Sequence, residues 1–422
     1  MVEKWRGRTA GWRRRILLGW MSGLLAMSLC GQPGGYSLLS SKSFQKVEIP
    51  FEYENHLMIV KVVFNKVFPL KFIFDTGAEH SILSRKEITD LLAMPYIRDF
   101  QILGSDMTTI LTAYQVINVH LRIGELEIPR HSMLVLKEDY FRFDESFGLE
   151  IHGIIGADIF KNFVVHIDYR HRKIILHVPK HFRPPAKGFR EVPLEITRNK
   201  PYVFSRALLE NDTLVDLKLL LDTGASISVL LHDDTHPLLH LPEDAIVGRI
   251  GAGLGGYLEG YLGRLKQLQF GDFTMHQVLA SYRELPPLAD STSLNRRNGI
   301  VGNQVLERFE LLIDYIHQKL YLKPNKAFYK PFEYDKSGLI LVATGVNLNQ
   351  FLIKGVIPGS PAAEAGVRPG DYLHKINGWP ATFFSLTDLQ RKLRKKEGKL
   401  IRLVLRRGDE KLRVQFRLRK LI

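Results

Sequence analysis

Two short segments bring together residue types that can activate water without a metal: Asp75-Thr76-Gly77 and Asp222-Thr223-Gly224. Each follows an apolar run, Phe72-Ile73-Phe74 and Leu219-Leu220-Leu221, that reads as a buried strand. The carboxylate then stands at the end of a rigid element, and the glycine permits a tight, close-packed turn. If the two turns meet across a twofold axis, Asp75 and Asp222 cannot both ionise comfortably, and they share a proton. One carboxylate can act as base toward water while the other, as acid, protonates a carbonyl oxygen. This chemistry calls for no metal, no cofactor and no covalent nucleophile. Thr76 and Thr223 are placed to hydrogen-bond across the junction and hold the loops in register.

The elements that position these residues form a long internal repeat. Phe72 to Ala78 returns as Leu219 to Ala225 at an offset of 147, as do Gly104 and Gly124 in Gly251 and Gly271. Ile154-Ile155-Gly156, Phe163 and Ile167-Asp168-Tyr169 return as Ile300-Val301-Gly302, Phe309 and Ile313-Asp314-Tyr315 at an offset of 146. So many matched landmarks predict duplication of a whole lobe, with lobe 1 over 44–183 and lobe 2 over 186–325. Within each, short runs rich in Val, Ile, Phe and Tyr, broken by Gly, Asn or Pro, predict strands. Met58 to Phe64, Val164 to Asp168 and Lys173 to Val178 are examples. A helix is expected from Ser84, as cap, to Leu92, with Glu87 three residues on. Pro184-Pro185 marks the boundary between lobes.

This constellation resembles the retropepsin-like aspartic peptidases, in which Asp-Thr-Gly-Ala is followed about 80 residues later by an apolar-apolar-Gly segment beneath the catalytic loop. Gly77 to Gly156 spans 79 residues and Gly224 to Gly302 spans 78. The resemblance implies catalytic roles for Asp75 and Asp222, with Thr76, Gly77, Thr223, Gly224, Gly156 and Gly302 in support. It also implies a flap closing over a protein or peptide substrate, at Gly104 to Tyr114 with Ser105, and at Gly251 to Tyr261 with Gly253. Retroviral members supply one motif per chain and dimerise. This chain carries two, which implies an intramolecular pseudo-dimer. Pepsin-like enzymes commonly carry serine where Ala78 and Ala225 stand. Without that hydroxyl donor the carboxyl pKa values are expected to be higher and the working pH milder.

From about Ser337 the character changes. Ser360-Pro361 offers a helix cap, Arg368-Pro369-Gly370-Asp371 a turn, and Asn377-Gly378 a hairpin. A second helix is expected from Ser385, followed by two strands around Arg407-Gly408-Asp409-Glu410. The stretch from Gly359 to Gly366, with Pro369-Gly370-Asp371 and Ile376-Asn377-Gly378, resembles the bacterial PDZ domain, placed at 337–420. That resemblance implies capture of a peptide C-terminus by strand addition, with Gly338, Leu339 and Ile340 as the carboxylate-binding loop. The overall expectation is a mostly β fold of two pseudo-symmetric retropepsin-like lobes followed by a small α+β PDZ domain. Its expected activity is aspartic endopeptidase. The rival is a scaffold whose peptidase lobes are inactive and whose PDZ domain recruits partners.

The formal charge of +15 is concentrated at the two ends. Residues 1–15 hold six Lys/Arg against Glu3, and residues 391–420 hold fourteen against three acids. The body between them is nearly neutral, which argues against nucleic acid as a partner. In the terminal module Arg402, Arg406, Arg413, Arg417 and Arg419 alternate with apolar residues, which predicts a half-buried sheet whose basic outer face suits solvent, or an anionic lipid or acidic partner. Residues 1–30 combine a basic stretch with an apolar run from Ile16 to Leu29, the pattern of a signal peptide or N-terminal anchor. Export to the periplasm or cell envelope is expected, with membrane association through the N-terminus. Cys30, the single cysteine, is a candidate lipid acceptor, although Leu29 stands where lipoprotein signals place a small residue.

Two further patterns weigh less. Gly251-Ala252-Gly253-Leu254-Gly255-Gly256 matches a dinucleotide fingerprint but lacks the helix that would hold phosphate. His232-Asp233-Asp234-Thr235-His236 has metal-ligand residue types, but Pro237 interrupts it, and a solvated loop is the expectation.

Overall fold

The computed structural model describes residues 37–38, 44–140, 143–185, 187–253, 256–285 and 297–422. The expected signal segment, Cys30, and Leu254-Gly255 of the glycine-rich run lie outside them.

Lobe 1 opens as a meander of β1 (Lys46–Glu54), β2 (Leu57–Phe64) and β3 (Phe68–Phe74). Its two tight turns use Asn55-His56 and Asn65-Lys66, all at positive φ, a geometry that asparagine tolerates best among residues with a side chain. After the Asp75 loop come β4 (Ile82–Leu83), α1 (Lys86–Leu91), β5 (Arg98–Leu103), β6 (Ile110–Ile123), β7 (Leu126–Leu136) and α2 (Phe143–Phe147). The lobe closes with β8 (Gly153–Ile155), α3 (Ala157–Phe160), β9 (Val164–Asp168) and β10 (Lys173–His177). Strand β8 lies parallel to β3, with Ile154 opposite Ile73, and antiparallel to β4. The strand that delivers Asp75 is therefore clamped between β2 and β8.

Lobe 2 repeats the plan. Strands β11 (Arg190–Thr197), β12 (Lys200–Leu208) and β13 (Leu214–Leu221) lead to Asp222. They are followed by β14 (Val229–Leu231), β15 (Ile246–Gly253), β16 (Gly256–Phe270) and β17 (Phe273–Tyr282). Then come β18 (Gly299–Val301), α4 (Asn303–Leu306), β19 (Phe309–Asp314) and β20 (Lys319–Pro324). Strand β18 is again parallel to the strand that ends at Asp222, with Ile300 opposite Leu220.

The lobes share a sheet in the order β1-β10-β9-β19-β20-β11, symmetric about the β9–β19 pair, where Val164 faces Asp314 and Ile167 faces Leu311. One apolar core runs beneath both lobes. Within it Phe74, the residue before Asp75, stacks on Phe160 of α3 with ring centroids 4.4 Å apart.

The helix expected from Ser84 is shorter than the sequence suggests. It starts after Arg85, which provides no side-chain cap. The Ser84 amide donates to His152 O at 2.8 Å, so Ser84 continues the strand geometry of β4, and its buried hydroxyl finds no partner among the described residues.

The terminal module has its own core and comprises β21 (Leu339–Thr344), β22 (Gln350–Val356), α5 (Pro361–Glu364), β23 (Tyr372–Ile376), α6 (Leu386–Leu393), β24 (Leu400–Arg407) and β25 (Glu410–Arg417). Ser360 caps α5 by accepting from the Ala363 amide, and Ser385 with Asp388 forms a capping box on α6. Arg402, Arg406, Arg413, Arg417 and Arg419 are exposed on its outer face. The module is tied to lobe 2 at both ends. Arg308 donates to the carbonyls of Ala327 at 3.0 Å and Pro331 at 3.3 Å and stacks on Phe332. Arg264 donates to Phe332 O and Ile422 O at 3.2 and 3.3 Å, which returns the buried C-terminal Ile422 to the lobe core.

Phe160→Ala should remove the floor beneath the Asp75 loop and cost about 3–5 kcal/mol, read as a lowered thermal midpoint. An unchanged midpoint would show that the loop does not depend on this stacking.

Candidate active site

The Asp75 and Asp222 loops meet face to face. A methyl group on Gly77 would lie 2.6 Å from the Asp222 carboxylate, and one on Gly224 would collide with that of Asp75. Each glycine is thus the floor on which the opposite carboxylate rests. Asp75 Oδ1 accepts from the amides of Gly77 at 2.7 Å and Ala78 at 3.2 Å, and Asp222 Oδ1 accepts from Gly224 at 2.8 Å. The threonines form a crossed set of buried bonds. Thr76 Oγ1 accepts from the Thr223 amide at 3.1 Å and donates to Leu221 O at 2.7 Å. Thr223 Oγ1 accepts from the Thr76 amide at 3.0 Å and donates to Phe74 O at 2.8 Å. Both strand ends are held by the opposite lobe.

Gly156 and Gly302 lie directly under the loops. A methyl on Gly156 would stand 2.6 Å from His80 O, and one on Gly302 2.7 Å from Ala225 O. The residues around them carry the strand ends at the two aspartates, through Asp75 N to Ile155 O and Asp222 N to Val301 O, each 3.0 Å.

Both carboxyls are half-buried, and burial is the main reason each is held above the ordinary carboxylate range. The two are not equivalent. Asp75 is pushed well up, because the charge of Asp222 and a side-chain bond to it add to burial. In Asp222 that same bond, the Gly224 amide and the fields of Arg297 and Lys200 oppose the effect of burial. The pair therefore shares one proton, and the field of Arg297 favours negative charge on the Asp222 side.

Sequence reading missed several positioning residues. Asn303 donates to Thr223 O at 2.6 Å and His56 O at 2.7 Å, and accepts from the Tyr169 hydroxyl at 2.6 Å. Its counterpart in lobe 1 is Ala157, so a polar residue breaking the repeat was the available signal. In lobe 1 the Asp158 carboxylate instead takes the Ser81 amide at 2.8 Å and hydroxyl at 2.7 Å, while Ser81 Oγ accepts from Gly156 N at 3.1 Å.

Both lobes raise a hairpin at the position expected for a flap. The first, β5 with β6, begins at Arg98, and Gly104 opens its tip. Asp106 folds that tip by accepting from the Thr108 and Thr109 amides at 3.3 and 3.2 Å. The second is β15 with β16, paired from Ile246 and Leu262 to Gly253 and Gly256, so the described residues of the glycine-rich run lie in paired strands. The two tips touch. Gly253 is so close to Ser105 that an added methyl would strike its hydroxyl and lie 3.3 Å from its Cβ. Gly251, farther down, faces Ile227 of the Asp222 loop, with its would-be methyl 4.0 Å away.

In the terminal module Gly338 adopts φ +80°, but its loop serves internal contacts. The Ser337 and Gly338 amides donate to Asp335 Oδ1 at 2.8 and 2.6 Å, and the Leu339 amide donates to Ser337 Oγ at 3.1 Å. Ile340 is paired with Gly355 in the sheet. The chain's own carboxylate thus takes amides that a ligand carboxylate would need. The groove between β21 and α6 also holds part of lobe 1. A methyl on Gly148, just past α2, would lie 3.4 Å from Ala343 Cβ and 3.1 Å from Leu386 Cβ. Asn55 binds Phe147 O at 2.8 Å and accepts from Thr387 of α6 at 2.8 Å, stitching the segment in place.

Among the described residues no cluster of three or more His, Asp, Glu or Cys could hold a metal. A recess of about 920 Å³ between lobe 2, the connector and the terminal module, lined by Arg264, His276, Tyr334 and Lys420 among others, contains neither aspartate.

The aspartyl protease family matches residues 60–159 and 209–305, one stretch per lobe, and a PDZ domain family matches residues 352–407. No curated protein matches the chain. Among solved structures it is similar to the aspartic proteinase from Irpex lacteus, at 12% identity and a TM-score of 0.43, covering 68% of this chain and 99% of that one.

Two outcomes follow from this geometry. A carboxyl raised by folding contributes stability below its unfolded pKa and loses that contribution as pH rises through the folded value. The dyad is therefore a burden at neutral pH, and Asp75→Asn should raise the thermal midpoint at pH 7 more than at pH 4. An equal shift at both pH values would contradict the raised pKa. Separately, Asn55→Ala cuts both tethers of the 147–148 segment and should tighten binding of a peptide with a free C-terminus at the β21–α6 groove by about five- to tenfold, measured by fluorescence anisotropy. Unchanged affinity would mean that the segment does not compete.

Proposed function

From a chain that carries a duplicated retropepsin-like aspartyl protease unit and a PDZ domain, we propose an aspartic endopeptidase whose dyad, Asp75 with Asp222, forms within one chain. The observation that carries this reading is the mutual embrace of the two loops. Each carboxylate packs on the other lobe's glycine, and each threonine hydroxyl ties down the other lobe's strand. A water between the carboxylates gives a proton to Asp222 and attacks the peptide carbonyl, while protonated Asp75 donates to the carbonyl oxygen. The resulting tetrahedral intermediate collapses as the amine leaves with a proton from the dyad. Ala78 and Ala225 supply no side-chain hydroxyl to help offset the effect of burial, and the working pH is milder than that of gastric enzymes.

Hairpins from both lobes meet tip to tip, Gly253 against Ser105, at the positions expected for flaps, which supports an extended peptide segment as substrate. The PDZ domain holds a groove segment of lobe 1 at rest, and a peptide C-terminus binds there in competition with it. The N-terminal pattern supports export as the setting.

Asp75→Asn and Asp222→Asn should each lower kcat/KM on a peptide library by at least a thousandfold, the scale on which removing a member of a catalytic unit acts. Full activity in either variant would overturn the shared dyad. Mixing the two inactive variants should restore nothing, and restored cleavage would mean that dyads form between chains. Cleavage by the wild type peaking near pH 2 would contradict the raised carboxyl pKa values.

A further inference from the structure

The lobes differ where their matched strands face the dyad. Side chains alternate along a strand, so Ile73 shares a face with Asp75, and Leu220 shares one with Asp222. In lobe 1 that face is apolar. Ile59 stands opposite Ile73 and Ile154 beside it, with Leu57 and Ile151 in the same buried cluster under Phe143. Lobe 2 keeps the register, with Tyr202 opposite Leu220 and Ile300 beside it. Yet the place of Leu57, two residues before Ile59, is taken by Lys200, two before Tyr202. The place of Ile151, two before Gly153, is taken by Arg297, two before Gly299. Continuing the β12–β13 register sets Lys200 opposite Asp222. Duplication has left one apolar wall and one cationic wall.

Among the described residues these cations are poorly compensated. Arg297 is only 8% exposed; its guanidinium bonds Tyr202, while its Nε meets no partner among the described residues. Lys200 is half-buried, and burial followed by Arg297 pushes its ammonium pKa down. The carboxylates whose fields reach Lys200 are Glu79, Asp75 and Asp222. The dyad holds about one negative charge between two residues, and Glu79 leans toward His80 at 3.9 Å. A partly desolvated cation without a paired anion is costly, and an arriving carboxylate would offset that cost.

We propose that Lys200, Tyr202 and Arg297 form a subsite on the lobe 2 wall that selects an acidic side chain, Asp or Glu, next to the scissile bond. This inference rests on the peptidase reading for its biological use, and its test is separable from it. The Asp75→Asn protein would be titrated calorimetrically with octapeptides carrying Glu, Gln or Leu on either side of the central bond. The Glu peptide should bind about ten- to a hundredfold more tightly than its Gln isostere, the range for a charge-assisted bond in a protected site. Adding Lys200→Met or Arg297→Met should collapse that ratio toward one, while Lys200→Arg should keep it. Lys200→Gln serves if the Met variants fail to fold. Equal binding of Glu and Gln peptides, or a Glu preference that survives loss of both cations, overturns the subsite. The latter result, with a shifted pH profile of wild-type-background cleavage, would make the cations regulators of the dyad's charge instead. A Glu preference in binding with no peptide cleaved by the wild type would leave the subsite standing and strike the peptidase reading.

Discussion

Two carboxyls that repel one another are held in contact in a partly buried cleft, and most of the fold serves that constraint. Neither like charge nor desolvation favours the arrangement. It persists because each Asp stands at the end of a strand clamped between two neighbours, and because the Thr76 and Thr223 hydroxyls bond the opposite strand's end. Removing one lobe would leave the other's threonine, glycine and buried core edge without partners. The shared sheet, whose central pair is β9 with β19, extends the same dependence to the far side of the molecule.

Asymmetry enters on this symmetric frame. Matched backbones place Ala157 opposite Asn303 in the repeat, Leu57 opposite Lys200 and Ile151 opposite Arg297. The backbone geometry of each pair is conserved within the chain, so the differences act on charge rather than on fold. Lobe 2 supplies cations near Asp222 and an amide that fixes its loop through Thr223 O. The two halves of a duplicated site thus meet different electrostatic surroundings, although their carboxyls titrate as one pair.

How much of this could be read from the sequence depends on the range of the interaction. The lobes, strands and Asp-Thr-Gly loops were legible because they rest on local pattern and on recurrence. Asn377-Gly378 and Ser385-Asp388 encode their turn and cap within four residues, and both form as read. Ser84 misled because its amide is claimed by His152, almost seventy residues away in the chain. The Asp335 carboxylate that closes the PDZ loop lay just outside the motif being read. The docking of Gly148 between Ala343 and Leu386 had no sequence signal at all, since it depends on how two separate cores meet. Lys200 and Arg297 were visible only as departures from the repeat, and a departure gains meaning once the register shows which face it occupies.

Asp75 and Asp222, held this close, should titrate as one coupled pair sharing a proton. Carbon-13 NMR of protein labelled at the aspartate carboxyls, assigned by Asp75→Asn and Asp222→Asn, measures this directly. Two well-separated apparent pKa values are expected, the higher one above the ordinary carboxylate range, with a single titration left when either aspartate is replaced by Asn. Two independent titrations near the ordinary aspartate value would contradict it.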